Sequence, residues 1–299
     1  MAYHVPVLLH ESIEGLNIQP NGTYLDLTFG GGGHSQEILS RLSAKGRLIA
    51  FDQDSEALKN EIKDSRFLLI HSNFRYFRNF LKYHRVGSVN GVLADLGISS
   101  KHIDSPERGF SFRFEGPLDM RMNRNAIITA SHVVNTYEVK MLTNVLSLYG
   151  ELPNAYKIAK VIENERSKGS IITVEKLAEL VSPLFPSQLK NKMLAKVFQA
   201  LRIEVNREME ALKIMLVQVG NTLTTDGRLV VLSYHSLEDR MVKNFMRTGN
   251  IEGDKVTDFY GNVVADFEQV NRKVIIPSEK EIERNPRARS AKLRIGRKL

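Results

Sequence analysis

Short apolar runs recur in the first hundred residues, at Tyr24–Leu27, Arg47–Asp52, Phe67–His71 and Val89–Asp95, and once more at Arg228–Ser236. Each is a few residues long and bounded by turn formers or acids, which predicts buried strands. Between them Gln36–Leu42, Ser55–Ile62 and Phe74–Tyr83 carry apolar residues at helical spacing. Strands alternating with helices predict an α/β domain with a mainly parallel sheet. Ahead of the first strand, Val5–Leu9 reads as a lid or approach, His10–Leu16 as a short segment and Pro20-Asn21-Gly22 as a turn.

From Thr129 to Leu201 the period changes and nothing alternates like a strand. Thr136 is the predicted cap of Glu138–Tyr149 with Gly150 as its stop, Pro153 opens Asn154–Arg166, and Thr173 opens Val174–Val181. The longest predicted helix starts near Leu189, buries Val197, Leu201 and Val205, and runs on through Leu212 and Leu216 to Gly220. Gln199, Arg202 and Asn206 form its polar face, read as solvated. This is an all-helical insertion between the fourth and fifth strands, giving domains at 1–106, 107–200 and 201–299. Arg272–Ile276 and Lys292–Ile295 are the candidate closing strands.

Candidate chemistry begins where the first strand enters Gly30-Gly31-Gly32-Gly33-His34. Glycines remove every Cβ from a tight turn, so a ligand can approach the backbone, and Ser35 reads as the cap of the following helix. Gly30-x-Gly32 opens a dinucleotide-type pattern whose third glycine is replaced by Ser35. The second strand ends in Asp52, about twenty residues on, where a ribose-binding carboxylate is expected. The fourth ends in Asp95, so both acids and the glycine loop face one crevice at the carboxyl ends of the strands. Phe74 follows a third strand end on the same side, and His235 with Ser236 follows the fifth. Adjacent His and Ser on a strand make no triad, and no G-x-S-x-G elbow accompanies them, which disfavours a hydrolase. The stretch Ser105–Met122 mixes Arg with Phe and has no clean period; it fits either a base-stacking loop or a loop with its Phe residues turned inward.

Composition narrows the class. The chain has 299 residues, 42% of them hydrophobic, enough for a sizeable core, and neither Cys nor Trp. That excludes disulfides and thiolate chemistry and points to a reducing compartment. No leader pattern or membrane-length apolar run is present, so a cytoplasmic protein without a membrane partner is expected. The formal charge of +8 suggests a polyanionic partner. Arg284, Arg287, Arg289, Lys292, Arg294, Arg297 and Lys298 crowd the last sixteen positions without an acid, a basic tail that would attract phosphates.

Longer motifs go further. Asp-Leu-Thr-Phe-Gly-Gly-Gly-Gly-His-Ser at 26–35, Asp-Leu-Gly-Ile-Ser-Ser at 95–100, Arg-Gly-Phe-Ser-Phe and Pro-Leu-Asp-Met-Arg-Met within 108–122, Phe-Gln-Ala-Leu-Arg-Ile-Glu-Val-Asn at 198–206, Ser-Tyr-His-Ser-Leu-Glu-Asp-Arg at 233–240 and Asn-Pro-Arg-Ala-Arg-Ser at 285–290 resemble the bacterial 16S rRNA cytidine N4-methyltransferases, the RsmH or MraW family. The resemblance spans nearly the whole chain. It implies a Rossmann-like class I methyltransferase domain interrupted by a helical substrate-recognition domain, with S-adenosylmethionine as donor. It implies as acceptor a decoding-centre cytidine of 16S rRNA, within the small ribosomal subunit or naked, and leaves open whether the chain forms a homodimer. Carried onto this sequence, Gly32, Gly33 and His34 line the donor loop, Asp52 meets the ribose, Phe74 the adenine and Asp95 the methionine part. His102 stands where the family usually has Gln, and Tyr234 where it usually has Phe. The exocyclic N4 must attack the methyl in line, which requires an unstacked base and an acceptor for the amino proton. Phe110 and Phe112 are candidates to stack the base, and Asp119 or His235 to accept from N4; no metal ligand set is assigned. A nucleotide-dependent oxidoreductase and a non-catalytic rRNA-binding assembly factor are the competing classes.

Overall fold

A computed structural model describes residues 6–261 and 265–299, so Val5 of the expected lid lies outside the described residues. In chain order its helices and strands are α1 (Leu9–Leu16), β1 (Thr23–Asp26), α2 (Gly33–Arg41), β2 (Arg47–Asp52), β3 (Phe67–His71), α3 (Phe77–Tyr83), β4 (Val89–Asp95), α4 (Ser100–Asp104), α5 (Ala130–Thr136), α6 (Val139–Leu148), α7 (Ala155–Arg166), α8 (Val174–Val181), α9 (Lys190–Asn206), α10 (Glu208–Val219), β5 (Leu223–Ser233), α11 (Ser236–Thr248), β6 (Phe267–Gln269), α12 (Glu279–Arg284) and β7 (Lys292–Lys298). Ser55–Asn60 and Phe74–Tyr76 are 3-10 turns.

The chain divides into two compact units, residues 1–97 with 209–299 and residues 98–208. These divisions fall earlier than position 106 and later than position 200, because α9 is one helix through Asn206 and its closing contacts belong to the inserted unit.

The first unit holds one seven-stranded sheet, ordered β3-β2-β1-β4-β5-β7-β6. β1 to β5 are mutually parallel, and β7 is antiparallel to both β5 and β6. Successive residues on these strands point to opposite faces, and both faces are apolar, which is why the strands read as continuous hydrophobic runs. Leu25, Ile49, Phe51, Val92 and Val231 pack with Leu212 and Leu216 of α10 on one side. Tyr24, Leu48, Leu93, Val230 and Ile295 pack with Ile13, Leu16 and Ile38 on the other.

The second unit is helical around Leu142, Ile158, Ile162, Val197 and Leu201. Thr173 caps α8 as expected, accepting from the Lys176 amide. Thr136 does not cap α6: it ends α5, and its hydroxyl donates to the His132 carbonyl, leaving Glu138 as the residue before α6. The long helix expected through Gly220 is two helices. Arg207 takes a left-handed conformation (φ 51°), and the Arg202 guanidinium closes the turn on both carboxylate oxygens of Glu208 at 2.9 Å. Nor is the Gln199–Arg202–Asn206 face merely solvated. Gln199 donates to the Tyr149 carbonyl, and Asn206 accepts from the Met122 amide while donating to the Met120 carbonyl.

The basic C-terminal stretch is only in part a tail: Arg284, Arg287 and Arg289 are exposed, but the cations from Lys292 onward lie on a strand. β7 lies inside the sheet, where Arg294 and Lys292 reach Asp239 at 2.7 and 3.1 Å, Arg297 pairs with Asp226 and Glu268, and Lys298 with Asp266. Of the two expected closing strands only the Lys292 one forms. Arg272–Ile276 supplies a single bridge, Ile275 to Leu293, and the edge is taken by Phe267–Gln269, whose Phe267 is buried whereas Ile276 is exposed. Among the described residues no helix is long and apolar enough to cross a membrane.

Burial alone would raise the Asp239 carboxyl, but Arg294 and then Lys292 hold it below the ordinary carboxylate range. A depressed folded value contributes stability that is complete above the unfolded value, about pH 4, and is lost as pH falls through the folded one. Asp239→Ala, which leaves two cations facing an emptied site, is expected to lower stability by about 2–4 kcal/mol in urea unfolding at pH 7, with the gap to wild type closing toward acid pH.

Candidate active site

Strand register brings the candidate residues of the first unit together. Asp26 pairs with Ala50 of β2 on one side and Leu93 of β4 on the other. Two residues further along each strand are Thr28, Asp52 and Asp95, which therefore share one level of the sheet at its carboxyl edge. β1 is where the strand order turns from β2 on one side to β4 on the other, the position at which open α/β sheets bind ligands.

The glycine loop is stitched to both neighbours. Gly30 donates its amide to Asp52 Oδ2 at 2.8 Å, Phe29 donates to the Phe51 carbonyl at 2.9 Å, and Asn60 donates to the Gly30 carbonyl. On the other side the Asp95 amide donates to Thr28 Oγ1 at 2.7 Å. Gly30 and Gly32 sit at φ 51° and 79°, conformations that favour glycine, and among the described residues a Cβ at Gly31 would meet nothing within 4 Å. Among the described residues the crest of the loop is thus uncovered beside Asp52 and the N-terminus of α2, a backbone that a ligand could approach closely.

Ser35 is not the helix cap. α2 starts at Gly33 behind Gly32, and Ser35 is fully buried, donating its hydroxyl to Asp26 Oδ2 at 2.7 Å. Asp26 Oδ1 accepts from the Thr28 amide at 3.1 Å. Burial raises the Asp26 carboxyl above its ordinary value, with Ser35 and His34 opposing. Asp26 and Thr28 were not singled out from sequence. The readable signal was an acid inside an apolar strand directly before a glycine loop, which is costly to bury without a partner.

His34 is 6% exposed and its Nε2 has no hydrogen-bond partner among the described residues. Phe74 is partly buried on the sheet core, at a turn capped by Asn73, whose amide donates to Gln53 beside Asp52. Beyond β5 the Tyr234 ring packs against Gly97, where a Cβ would come within 2.6 Å of the ring; burial, then Asp95, pushes its phenol well above the usual range. His235 caps α11, its Nδ1 accepting from the Glu238 amide at 3.4 Å. Its Nε2 approaches Glu238 Oε1 to 3.1 Å without the alignment of a hydrogen bond, and Glu238 Oε2 accepts from the Tyr234 amide. Gly32, Gly33, His34, Asp52, Phe74, Asp95 and His235 all belong to this unit.

His102 and Asp119 belong to the other unit. His102 stacks on Phe110 with ring centroids 4.9 Å apart and planes 12° apart. Phe110 is 8% exposed and Phe112 packs edge-on to Phe198, so the Arg-Phe loop turns both rings inward. Arg108 is buried too, donating to the carbonyls of Arg121 and Met122. Asp119 accepts two bonds from the Arg121 side chain, at 2.8 and 2.7 Å. Burial opposes ionisation, yet Arg121 holds this carboxyl below its ordinary value.

A mainly parallel seven-stranded sheet with a reversed strand beside β5, a glycine loop after β1 and acids after β2 and β4 is a class I methyltransferase architecture. The model of the MraW methylase family matches residues 1–299, and the chain belongs to that family. It is 59% identical over 298 residues to ribosomal RNA small subunit methyltransferase H of Bacteroides thetaiotaomicron, covering 100% of this chain and 98% of the relative. It is 50% identical over 299 residues to the protein of that name from Flavobacterium johnsoniae, covering 100% and 99%. A solved rRNA methylase structure from Streptococcus thermophilus is 11% identical, with a TM-score of 0.43 and 99% of each chain covered.

Asp26 supplies a test of the loop's foundation. A carboxyl with a raised folded value loses stabilisation as pH rises through that value. Urea stability of wild type is therefore expected to fall as pH rises through that value, and the non-titrating Asp26→Asn is expected to lack this part of the pH dependence.

Proposed function

We propose that this protein transfers a methyl group from S-adenosylmethionine to the exocyclic N4 of a decoding-centre cytidine in 16S rRNA of the small ribosomal subunit, in the cytoplasm. The observation that carries the reading is the convergence of the glycine loop, Asp52 and Asp95 at one level of the sheet edge, in a chain whose relatives are named small-subunit rRNA methyltransferases. Bound S-adenosylmethionine supplies an electrophilic methyl on a sulfonium. Gly32, Gly33 and His34 take the loop side of the donor, Asp52 the ribose, Phe74 the adenine and Asp95 the methionine part, with His102 an additional donor contact. The inserted helical unit recognises the RNA.

The remaining work is to hold an unstacked base and to take up the amino proton. Asp119, bound to Arg121 and held below its ordinary value, stays a carboxylate across the neutral range. It serves as a fixed negative acceptor for an amino N–H. His235, whose Nε2 lies 3.1 Å from Glu238 Oε1, is the second candidate acceptor for the amino proton. The inward-facing rings of Phe110 and Phe112 shape the recognition loop from within.

Incubation with labelled donor and either unmodified small subunits or naked 16S rRNA, followed by mass identification of the modified nucleoside, checks donor, substrate and position together. N4-methylcytidine is expected; binding of RNA without methyl transfer supports an assembly factor instead, and tight binding of NAD but not S-adenosylmethionine an oxidoreductase. In single-turnover assays at saturating donor, His235→Ala is expected to slow transfer about 100-fold. Unchanged rates in both His235→Ala and Asp119→Asn would overturn the proton-acceptor assignment.

A further inference from the structure

We infer that Pro6–Leu8 forms a fixed wall of the donor site and that Glu281, near the other end of the chain, is the positioning residue that holds it there. The inference rests on the donor reading above. Leu8 is a non-glycine residue in the left-handed region (φ 49°, ψ 39°), an unfavourable conformation that surrounding contacts must impose. It is 1% exposed, and its amide donates to Glu281 Oε1 at 2.7 Å, a charge-assisted bond between residues 273 positions apart. The Leu8 carbonyl accepts from the Ser12 amide at 2.9 Å, so the strap is tied into α1 as well. Glu281 is itself placed: its own amide donates to Ser278, the cap of α12.

The strap bears directly on the glycine loop. A Cβ at Gly33 would lie 2.3 Å from Pro6 Cγ, so the proline ring rests on the first residue of α2, between Gly32 and His34. Val7 and Leu8 pack in one apolar cluster with Ile38 and Leu39 of α2 and Leu293 of β7. Glycine at 33 is thus required by the strap: its φ is not in the left-handed region, whereas Gly30 and Gly32 are glycines for backbone reasons. A loop that must present its amides in one arrangement gains from a rigid backing, because apparent affinity falls with the fraction of molecules whose site is assembled. The Glu281 carboxylate couples the C-terminal segment to that fraction.

Calorimetric titration of the full-length protein with S-adenosylhomocysteine tests this. Glu281→Ala is expected to raise Kd about 10-fold, and Glu281→Gln, which keeps an oxygen acceptor for the Leu8 amide, to stay within about 3-fold of wild type. Pro6→Gly, which leaves the Glu281 bond in place, is expected to weaken binding as well, and it decides the matter should Glu281→Ala fail to fold. Amide exchange at Leu8 is expected to speed up in Glu281→Ala. If wild type binds and both Glu281→Ala and Pro6→Gly bind equally well, even with lowered melting temperatures, the strap is only structural and the inference falls while the donor reading stands. If wild type itself does not bind, the donor reading fails and takes the inference with it.

Discussion

The structure of the site depends on hydrogen bonds that a glycine loop cannot supply for itself. Four glycines give the chain freedom to turn and to be approached closely, but that freedom is entropy to be removed. Asp52 removes it from one side by accepting the Gly30 amide, and Thr28 removes it from the other by accepting from the Asp95 amide. Beneath the loop, the buried Asp26 carboxylate holds Ser35 and the Thr28 amide. The Asp52 carboxylate, a candidate ligand contact, thus also shapes the glycine loop.

Burial of charge organises the rest of the sheet unit. Asp239 brings Arg294 and Lys292 onto α11, so the last part of the basic stretch becomes an interior strand, while Arg284, Arg287 and Arg289 ahead of it stay exposed. In the inserted unit, Arg108 and Arg121 are spent on carbonyls and on Asp119, and the Phe110 and Phe112 rings between them pack into the core while Phe114 stays exposed. An Arg-Phe loop that looks like a stacking platform is, in this protein, an ordered loop pinned by Asn206.

Legibility followed the range of the interactions. β2, β3 and β4 lie where their apolar runs place them, since buried parallel strands announce themselves locally. The helix α8 was equally readable, because its Thr173 cap is a three-residue signal. By contrast, the break at Arg207, the identity of the edge strand at Phe267–Gln269 and the internal position of β7 each rest on partners far away in sequence. A left-handed arginine has no local signature, and a run of Lys and Arg looks the same whether Asp239 is near or not.

By itself the sequence determined the α/β class, the helical insertion, the glycine loop and the two strand-end acids, because each depends on residue type and short spacing. Tertiary structure alone decided that Ser35 holds Asp26 rather than caps a helix, that Phe110 faces inward onto His102, and that Glu281 fastens Leu8 against the loop. Those outcomes depend on which groups must find a hydrogen-bond partner once water is excluded, and the partner is set by strand register and packing rather than by neighbours in the chain.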